Sequence, residues 1–224
     1  MRQGKPEYHA IRVSRTAHIY TLGKLTDRTK YIWLVCHGYG QSAERFIYKF
    51  DQLDENEHFV IAPEGLSRFY WNGVKGDVVS SWMTSKNRLN EIEDYCQYLD
   101  LVLSTFRNYS VDQKQFIFFG FSQGCATLLR YLAAFQPYYR DIILWAGSFP
   151  KDISYLEMSD YWDQGQIHLI FGDNDEYLTT EFVQDEEKFI NEQELKVSRH
   201  VFEGKHRVDT KVLMEYLSKI LSIG

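Results

Sequence analysis

Short apolar runs alternate with longer amphipathic segments along this chain. The short runs are rich in β-branched and aromatic residues and are apolar at nearly every position, which predicts parallel strands covered on both faces. Six candidate strands share this pattern: 31–36, 58–62, 115–119, 141–145, 166–171 and 197–202.

Apolar residues recur at steps of three and four between the candidate strands, as expected for helices that bury one face. The pattern is clearest in 88–107, where one stripe contains Leu89, Ile92, Tyr95, Leu99, Val102 and Phe106. Four more segments have a similar pattern: 41–55, 122–135, 179–194 and 208–222. The alternation of strand and helix predicts one α/β domain over residues 1–224, a three-layer α/β/α sandwich with an open, mostly parallel sheet.

Two segments depart from this alternation. The first 30 residues carry a weaker apolar pattern, which predicts an antiparallel hairpin at the sheet edge. Residues 62–86 are irregular and rich in glycine, serine and aromatic rings. Because a loop that long in a compact domain is usually functional, we expect Trp71 and Trp82, together with Tyr39, to line a substrate pocket. The alternative is that these rings are packed scaffold.

Composition and charge exclude several classes of protein. Of the 224 residues, 44% are hydrophobic and 25% are charged, values that exclude a disordered or collagen-like chain. The net charge of −6, without a basic tract, argues against nucleic-acid binding. The longest apolar runs have five to seven residues, far short of the roughly 20 needed to span a bilayer.

The cellular compartment is predicted from the cysteines and the first residues. An odd number of cysteines, three, argues against a disulfide framework and favours a reducing compartment. Residues 1–20 are polar and charged and contain no apolar run typical of a signal peptide. We therefore expect a cytoplasmic protein without a membrane span. The pattern predicts no particular oligomeric state.

Residues 120–124 form the element Gly-Phe-Ser-Gln-Gly, a G-x-S-x-G pattern with a strand before it and a helix after it. This context matters because a nucleophilic serine needs a strained strand-to-helix turn that projects its Oγ from the sheet edge. The two glycines relieve crowding around such a turn. We therefore predict that Ser122 is a catalytic nucleophile; the alternative is a serine that only caps the helix.

A serine hydroxyl needs a base to remove its proton and an acid to orient that base. After such a turn, acid and base follow in that chain order, each in a loop after a later strand. His206 follows strand 197–202 and is the best candidate for the base, because the other two histidines after the serine lie inside predicted strands. Asp173 and Asp175 both follow strand 166–171, and the usual G-x-x-D spacing favours Asp175 as the acid.

An acyl-transfer site also needs N–H donors aimed at the oxyanion. One donor is expected from the backbone of Gln123, directly after the nucleophile. The second is expected from the backbone of Tyr39, in the loop 36–41, where two glycines allow N–H groups to turn inward.

The same loop also matches a nucleotide-binding pattern. Gly38 to Ala43 reads G-x-G-x-x-A between a strand and a helix, and Glu64 lies near the end of the next strand, where a ribose-binding acid belongs. A dinucleotide site leaves the serine turn and the two later loops unexplained. The hydrolase interpretation uses all of them in order and is therefore favoured.

The sequence resembles the phospholipase/carboxylesterase family of the α/β-hydrolase superfamily, which includes acyl-protein thioesterases and small bacterial carboxylesterases. Six motifs carry the resemblance in order along the chain: HGYG (37–40), APEG (62–65), SSWM (80–83), GFSQG (120–124), GDNDEYL (172–178) and EGKH (203–206). The family usually has glycine or alanine at the position of Cys125, often proline at that of Glu176, and phenylalanine at that of Met83.

The resemblance implies hydrolysis of small-molecule carboxylic esters or thioesters through an acyl-enzyme. It implies neither a metal nor a cofactor, and the chain length suits a member without a separate cap domain. A second hypothesis is a catalytically silent relative that binds a small ligand as a receptor or scaffold.

Overall fold

The structure is a computed structural model that describes residues 6–107 and 115–221. These residues form nine strands: β1 (Ile19–Leu22), β2 (Tyr31–Cys36), β3 (His58–Pro63), β4 (Ser67–Tyr70), β5 (Val78–Ser81), β6 (Gln115–Phe121), β7 (Asp141–Trp145), β8 (Gln166–Gly172) and β9 (Val197–Phe202). All six predicted strands are confirmed, as β2, β3 and β6 to β9. Each begins at the predicted residue and ends at most two residues beyond the predicted end.

Seven of the strands form one sheet, in the order β1-β3-β2-β6-β7-β8-β9. All neighbouring pairs are parallel except β1, which pairs antiparallel with β3 at the edge. The central strands are apolar throughout because both of their faces are covered. The short strands β4 and β5 form a separate antiparallel hairpin.

The same residues form six α-helices: α1 (Ala43–Phe46), α2 (Arg88–Arg107), α3 (Gln123–Phe135), α4 (Ser159–Trp162), α5 (Thr180–Glu192) and α6 (Thr210–Ile220). Successive strand residues point to opposite faces of the sheet, so the buried apolar side chains divide into two clusters. One cluster joins the sheet to α2, α3, α4 and α5, and the other joins it to α1 and α6. The predicted three-layer sandwich is therefore confirmed.

The expected hairpin in the first 30 residues is wrong. Within residues 6–18 there is no strand, and only β1 joins the sheet. The preceding segment lies along α2 instead, where the guanidinium of Arg12 donates hydrogen bonds to Gln97 (3.1 Å) and Glu93. This pairing of side chains replaces the strand ladder that the apolar pattern predicted.

Three further expectations need correction. Residues 62–86 are not structureless, because they contain the β4–β5 hairpin. The helix expected over 41–55 is divided into α1 and a 3-10 helix, Ile47–Phe50, which brings Ile47 and Phe50 into the core. Leu89 of the predicted α2 stripe is 70% exposed, because it lies in the first turn, beyond the core. Among the described helices, none is long and apolar enough to cross a membrane.

Candidate active site

Ser122 lies on the turn between the end of β6 and the start of α3. Its backbone has φ 51° and ψ −117°, a strained conformation for a residue with a side chain. The turn is held on both sides, since Ser122 N–H donates to Trp145 O (2.9 Å) and Cys125 N–H donates to Ser122 O (3.0 Å). The sheet and α3 therefore stabilise a conformation that a free chain would avoid.

The two glycines of the G-x-S-x-G element are required by close backbone contacts. A Cβ at Gly120 would lie 2.7 Å from Cys125 Cα, and a Cβ at Gly124 would lie 2.2 Å from Cys36 O. The second contact presses the start of α3 against the end of β2. Gly120 thus relieves crowding against the start of α3, as predicted, whereas Gly124 allows α3 to approach the end of β2.

The structure brings the three predicted site residues Ser122, His206 and Asp175 together. His206 Nε2 lies 2.9 Å from Ser122 Oγ, and His206 Nδ1 lies 2.7 Å from Asp175 Oδ2. A carboxylate only accepts, so Nδ1 donates to Asp175, and the unprotonated Nε2 of a neutral ring accepts from the serine hydroxyl. Asp175 is 6% exposed, and its second oxygen accepts from Tyr177 N–H at 2.9 Å.

Asp173, the alternative acid, has a different set of partners. Its Oδ1 accepts from Gly204 N–H (3.0 Å) and from the Asn174 amide (2.7 Å). Asn174 N–H in turn donates to Gly204 O at 2.9 Å. Asp173 therefore ties the loop after β8 to the loop that carries His206, while Asp175 contacts the imidazole.

Tyr39 lies in the β2–α1 loop, residues 37–42, next to the serine turn. Strands β2 and β6 are adjacent and parallel, with Cys36 opposite Gly120, so the segments that follow them meet at one edge of the sheet. Within the described part of the chain, neither Tyr39 N–H nor Gln123 N–H has a hydrogen-bond acceptor. Both predicted donors are therefore free to bind an incoming oxygen.

The side chain of Gln123 binds the segment that follows β5. Its Oε1 accepts from Trp82 N–H (3.1 Å), and its Nε2 donates to Met83 O (2.9 Å). The side chain of Gln123 thus holds the segment after β5, while the backbone N–H of Gln123 makes no hydrogen bond in the described part of the chain.

The two predicted pocket tryptophans occupy different environments. Trp71 is 55% exposed, packs against Tyr39 and Phe69, and forms one wall of a groove of about 330 Å³ beside the β2–α1 loop. Trp82 is only 2% exposed, and its indole N–H donates to His37 O at 2.8 Å. Because Trp82 supports the loop from beneath, it does not face a substrate, and its assignment as a pocket wall is wrong.

The geometry also argues against the dinucleotide interpretation of the β2–α1 loop. Glu64, the proposed ribose-binding acid, is 7% exposed and uses both carboxylate oxygens inside the protein. One accepts from Ala43 N–H at 3.0 Å, and the other accepts from the Ser80 hydroxyl. In addition, α1 has only four residues, too few for the long helix that follows a nucleotide fingerprint.

Sequence reasoning missed one side chain that contacts the site, Tyr177, and one that supports the neighbouring loop, His37. Tyr177 packs edge-on against His206, with 4.7 Å between ring centroids. His37 is fully buried at the start of the β2–α1 loop. The available signal for Tyr177 was an aromatic ring two positions after the favoured acid. The role of His37 depends on contacts with Gly65, after β3, and with Ser80 of β5, which no local pattern contains.

The three cysteines are free and buried, and each packs in the core as a small apolar residue. Cys125 lies in the first turn of α3, and its thiol donates to Gly120 O at 3.1 Å. Burial raises the pKa of this thiol, which keeps it neutral. A Cβ at Gly147 would lie 2.4 Å from Cys125 Sγ, so this glycine makes room for a side chain larger than the family usually has there.

A mostly parallel sheet with a serine on a strained strand-to-helix turn is the architecture of the α/β-hydrolases. The chain belongs to the phospholipase/carboxylesterase family, whose model matches residues 24–223. No curated protein matches the chain.

Many solved structures share this fold, and three of them illustrate the likeness. Acyl-protein thioesterase 2 from Zea mays has a TM-score of 0.71 at 14% identity, over 92% of this chain and 99% of its own. A phospholipase/carboxylesterase from Dyadobacter fermentans has a TM-score of 0.66 at 20% identity, over 94% of this chain and 99% of its own. The Bacillus cereus carboxylesterase has a TM-score of 0.61 at 11% identity, over 91% of this chain and 94% of its own. At these identities the likeness shows the fold alone.

Proposed function

We propose that this chain is a serine hydrolase that cleaves carboxylic esters or thioesters through an acyl-enzyme. Ser122 is the nucleophile, His206 the general base, and Asp175 the acid that orients the imidazole. The observation that carries the proposal is the continuous hydrogen-bonded chain from Asp175 through His206 to Ser122, with separations of 2.7 and 2.9 Å. Family membership supports the same class of reaction.

The proposed first half-reaction uses each of these groups once. Ser122 Oγ attacks the substrate carbonyl carbon while its proton passes to His206 Nε2. The carbonyl oxygen becomes an oxyanion and accepts hydrogen bonds from Tyr39 N–H and Gln123 N–H. When the tetrahedral intermediate collapses, its bond to the alcohol or thiol breaks, and His206 Nε2 returns its proton to that leaving group.

The second half-reaction repeats the sequence with water. His206 Nε2 removes a proton from water, the resulting hydroxide attacks the acyl carbon, and the bond to Ser122 Oγ breaks. The proton on Nε2 then returns to the serine, and the carboxylic acid leaves. Asp175 stabilises the imidazolium in both halves because its carboxylate is buried and already bonded to Nδ1.

Labelling with a fluorophosphonate tests the nucleophile and separates the enzyme from a silent receptor. We expect one adduct, located at Ser122 by mass spectrometry of the digested protein. Ser122→Ala is expected to remain folded, to lose labelling, and to lose several orders of magnitude in kcat. Ser85→Ala, which removes an exposed hydroxyl outside the proposed site, is the matched control and should label like the wild type. A folded wild-type protein that neither labels nor hydrolyses any ester would support the receptor hypothesis.

The substrate class is tested with matched series of chromogenic esters and acyl thioesters of increasing chain length. The ratio of kcat/KM for an ester and a thioester with the same acyl group measures the preference for the leaving group. The dependence on chain length measures the acyl site. The solved structures with this fold include a thioesterase and a carboxylesterase, so both an alcohol and a thiol leaving group are tested.

A further inference from the structure

A cluster of three buried polar side chains lies behind the β2–α1 loop and takes no part in the proposed chemistry. His37 and Ser80 are 0% exposed, and Glu64 is 7% exposed. Burying polar groups is costly unless they are hydrogen-bonded, so their partners show what the cluster holds in place. His37 is the first residue after β2, Ser80 lies in β5, and Glu64 is the first residue after β3.

His37 joins the β2–α1 loop to the segment after β3. Its Nδ1 lies 2.7 Å from Gly38 O, and since a carbonyl only accepts, Nδ1 carries the proton. Its Nε2 is then an acceptor and receives Gly65 N–H at 3.1 Å. Burial lowers the pKa of His37, in agreement with a neutral ring that has one donor and one acceptor nitrogen.

Glu64 closes the cluster by binding two other elements. Its Oε2 accepts from Ala43 N–H at 3.0 Å, at the point where the β2–α1 loop becomes α1. Its Oε1 accepts from the hydroxyl of Ser80, whose Oγ also lies 2.9 Å from His37 Nε2. The carboxylate thus ties the far end of the loop to β5.

The backbone of Ser80 holds the middle of the same loop. Gly40 N–H donates to Ser80 O at 3.0 Å, and Ser80 N–H donates to Gln41 O at 2.8 Å. These bonds hold the two residues that follow Tyr39, whose own N–H has no acceptor among the described residues. The beginning, middle and end of the β2–α1 loop are therefore attached to one buried cluster.

We propose that Glu64, acting through Ser80 and His37, is a positioning residue that holds the β2–α1 loop so that Tyr39 N–H points at the oxyanion. This inference rests on the proposed function. Glu64 does not touch the substrate, and its effect reaches the reaction through the loop backbone. Since an oxyanion donor acts mainly in the transition state, loss of alignment lowers kcat and leaves KM nearly unchanged.

Two substitutions of Glu64 differ in whether they remove or keep the hydrogen bonds of the cluster. Glu64→Ala removes both acceptors and leaves Ala43 N–H unpaired. Glu64→Gln keeps an acceptor for Ala43 N–H, and its amide can donate to Ser80 Oγ. The Ser80 hydroxyl can then donate to Gln41 O, 3.3 Å away, so the connections of the cluster survive.

The test measures kcat and KM for a nitrophenyl ester with the wild type, Glu64→Ala, Glu64→Gln and the control Glu44→Ala. Glu44 is an exposed carboxylate on α1 itself. We expect kcat to fall about 10- to 100-fold in Glu64→Ala with KM changed less than about threefold, and Glu64→Gln to recover kcat to within about threefold of the wild type. Glu44→Ala should behave like the wild type.

Other outcomes overturn the inference. A folded Glu64→Ala protein with wild-type kcat, or one that loses as much in KM as in kcat, excludes a positioning role. So does a Glu64→Gln protein as impaired as Glu64→Ala. If Glu64→Ala fails to fold by circular dichroism, Ser80→Ala replaces it, with the same expected split between kcat and KM. A wild-type protein that does not label at Ser122 refutes the proposed function first, and the positioning role with it.

Discussion

The phenol ring of Tyr177 meets the imidazole of His206 edge-on, with 4.7 Å between centroids and 63° between planes. Phe121 packs against the same imidazole, with 5.1 Å between centroids. His206 therefore has an aromatic neighbour from the loop after β8 and another from the serine turn. Tyr177 is itself 68% exposed, so it contributes to the rim of the site as well as to the orientation of the base.

Tyr177→Ala should lower kcat/KM by up to about tenfold, because an aromatic pair contributes roughly 0.5–1.5 kcal/mol to holding the ring. Tyr177→Phe keeps the ring and should stay within about twofold of the wild type. Steady-state kinetics with one chromogenic ester, together with thermal unfolding of each variant, checks both. An equal loss in the two variants would show that the hydroxyl, and not ring packing, is what matters.

The two aspartates of the loop after β8 should respond differently to conversion to asparagine. Asp175→Asn removes the carboxylate that accepts from His206 Nδ1, so kcat should fall by on the order of 10⁴. Asp173→Asn keeps an acceptor for Gly204 N–H and should cost less than about tenfold. Comparing kcat of the two variants tests which aspartate is the acid. A larger loss in Asp173→Asn than in Asp175→Asn would reverse the assignment.

The parts of the fold that were predictable are those whose local pattern and tertiary environment agree. The central parallel strands are apolar on both faces, and the serine turn needs two glycines that are visible in the sequence. Strands β4 and β5 have four residues each, and β4 alternates half-buried and exposed positions, so their pattern is too short to distinguish from a loop.

The environment of individual side chains was less predictable, because it depends on what packs against them. Trp82 looked like a pocket ring, but β5 carries it under the β2–α1 loop, where its indole N–H finds His37 O. Glu64 stood where a ribose-binding acid is expected, yet the ends of β3 and β5 meet there and bury it. Neither result follows from spacing along the chain.

Glu194→Gly should stabilise the protein by about 0.5–1 kcal/mol. Glu194 has φ 53° just after α5, where its N–H donates to Asn191 O and Leu195 N–H donates to Ile190 O. Glycine is the usual residue at this position because it adopts positive φ without strain. The substitution also removes a negative charge from the carboxyl end of a helix.

The matched control for Glu194→Gly is Gln184→Gly, which places glycine at an exposed position inside α5. There the same residue should destabilise by about 0.5–1 kcal/mol, since the helix interior gains nothing from positive φ. Urea unfolding of both variants provides the comparison. If both substitutions lower the free energy of unfolding, the positive φ of Glu194 does not destabilise the protein.

His58 should make stability depend on pH below neutrality. It is 2% exposed, its Nδ1 accepts from the Trp33 indole at 3.0 Å, and burial lowers its pKa to about 4. An unfolded histidine titrates near 6.5, so the unfolded chain binds the proton first and stability falls as the pH drops from about 6.5 to about 4.

In urea unfolding at pH 7 and pH 5, His58→Gln should lose less stability on acidification than the wild type. His9→Gln, at an exposed histidine, should lose as much as the wild type. Equal losses in all three proteins would rule out His58 as the source.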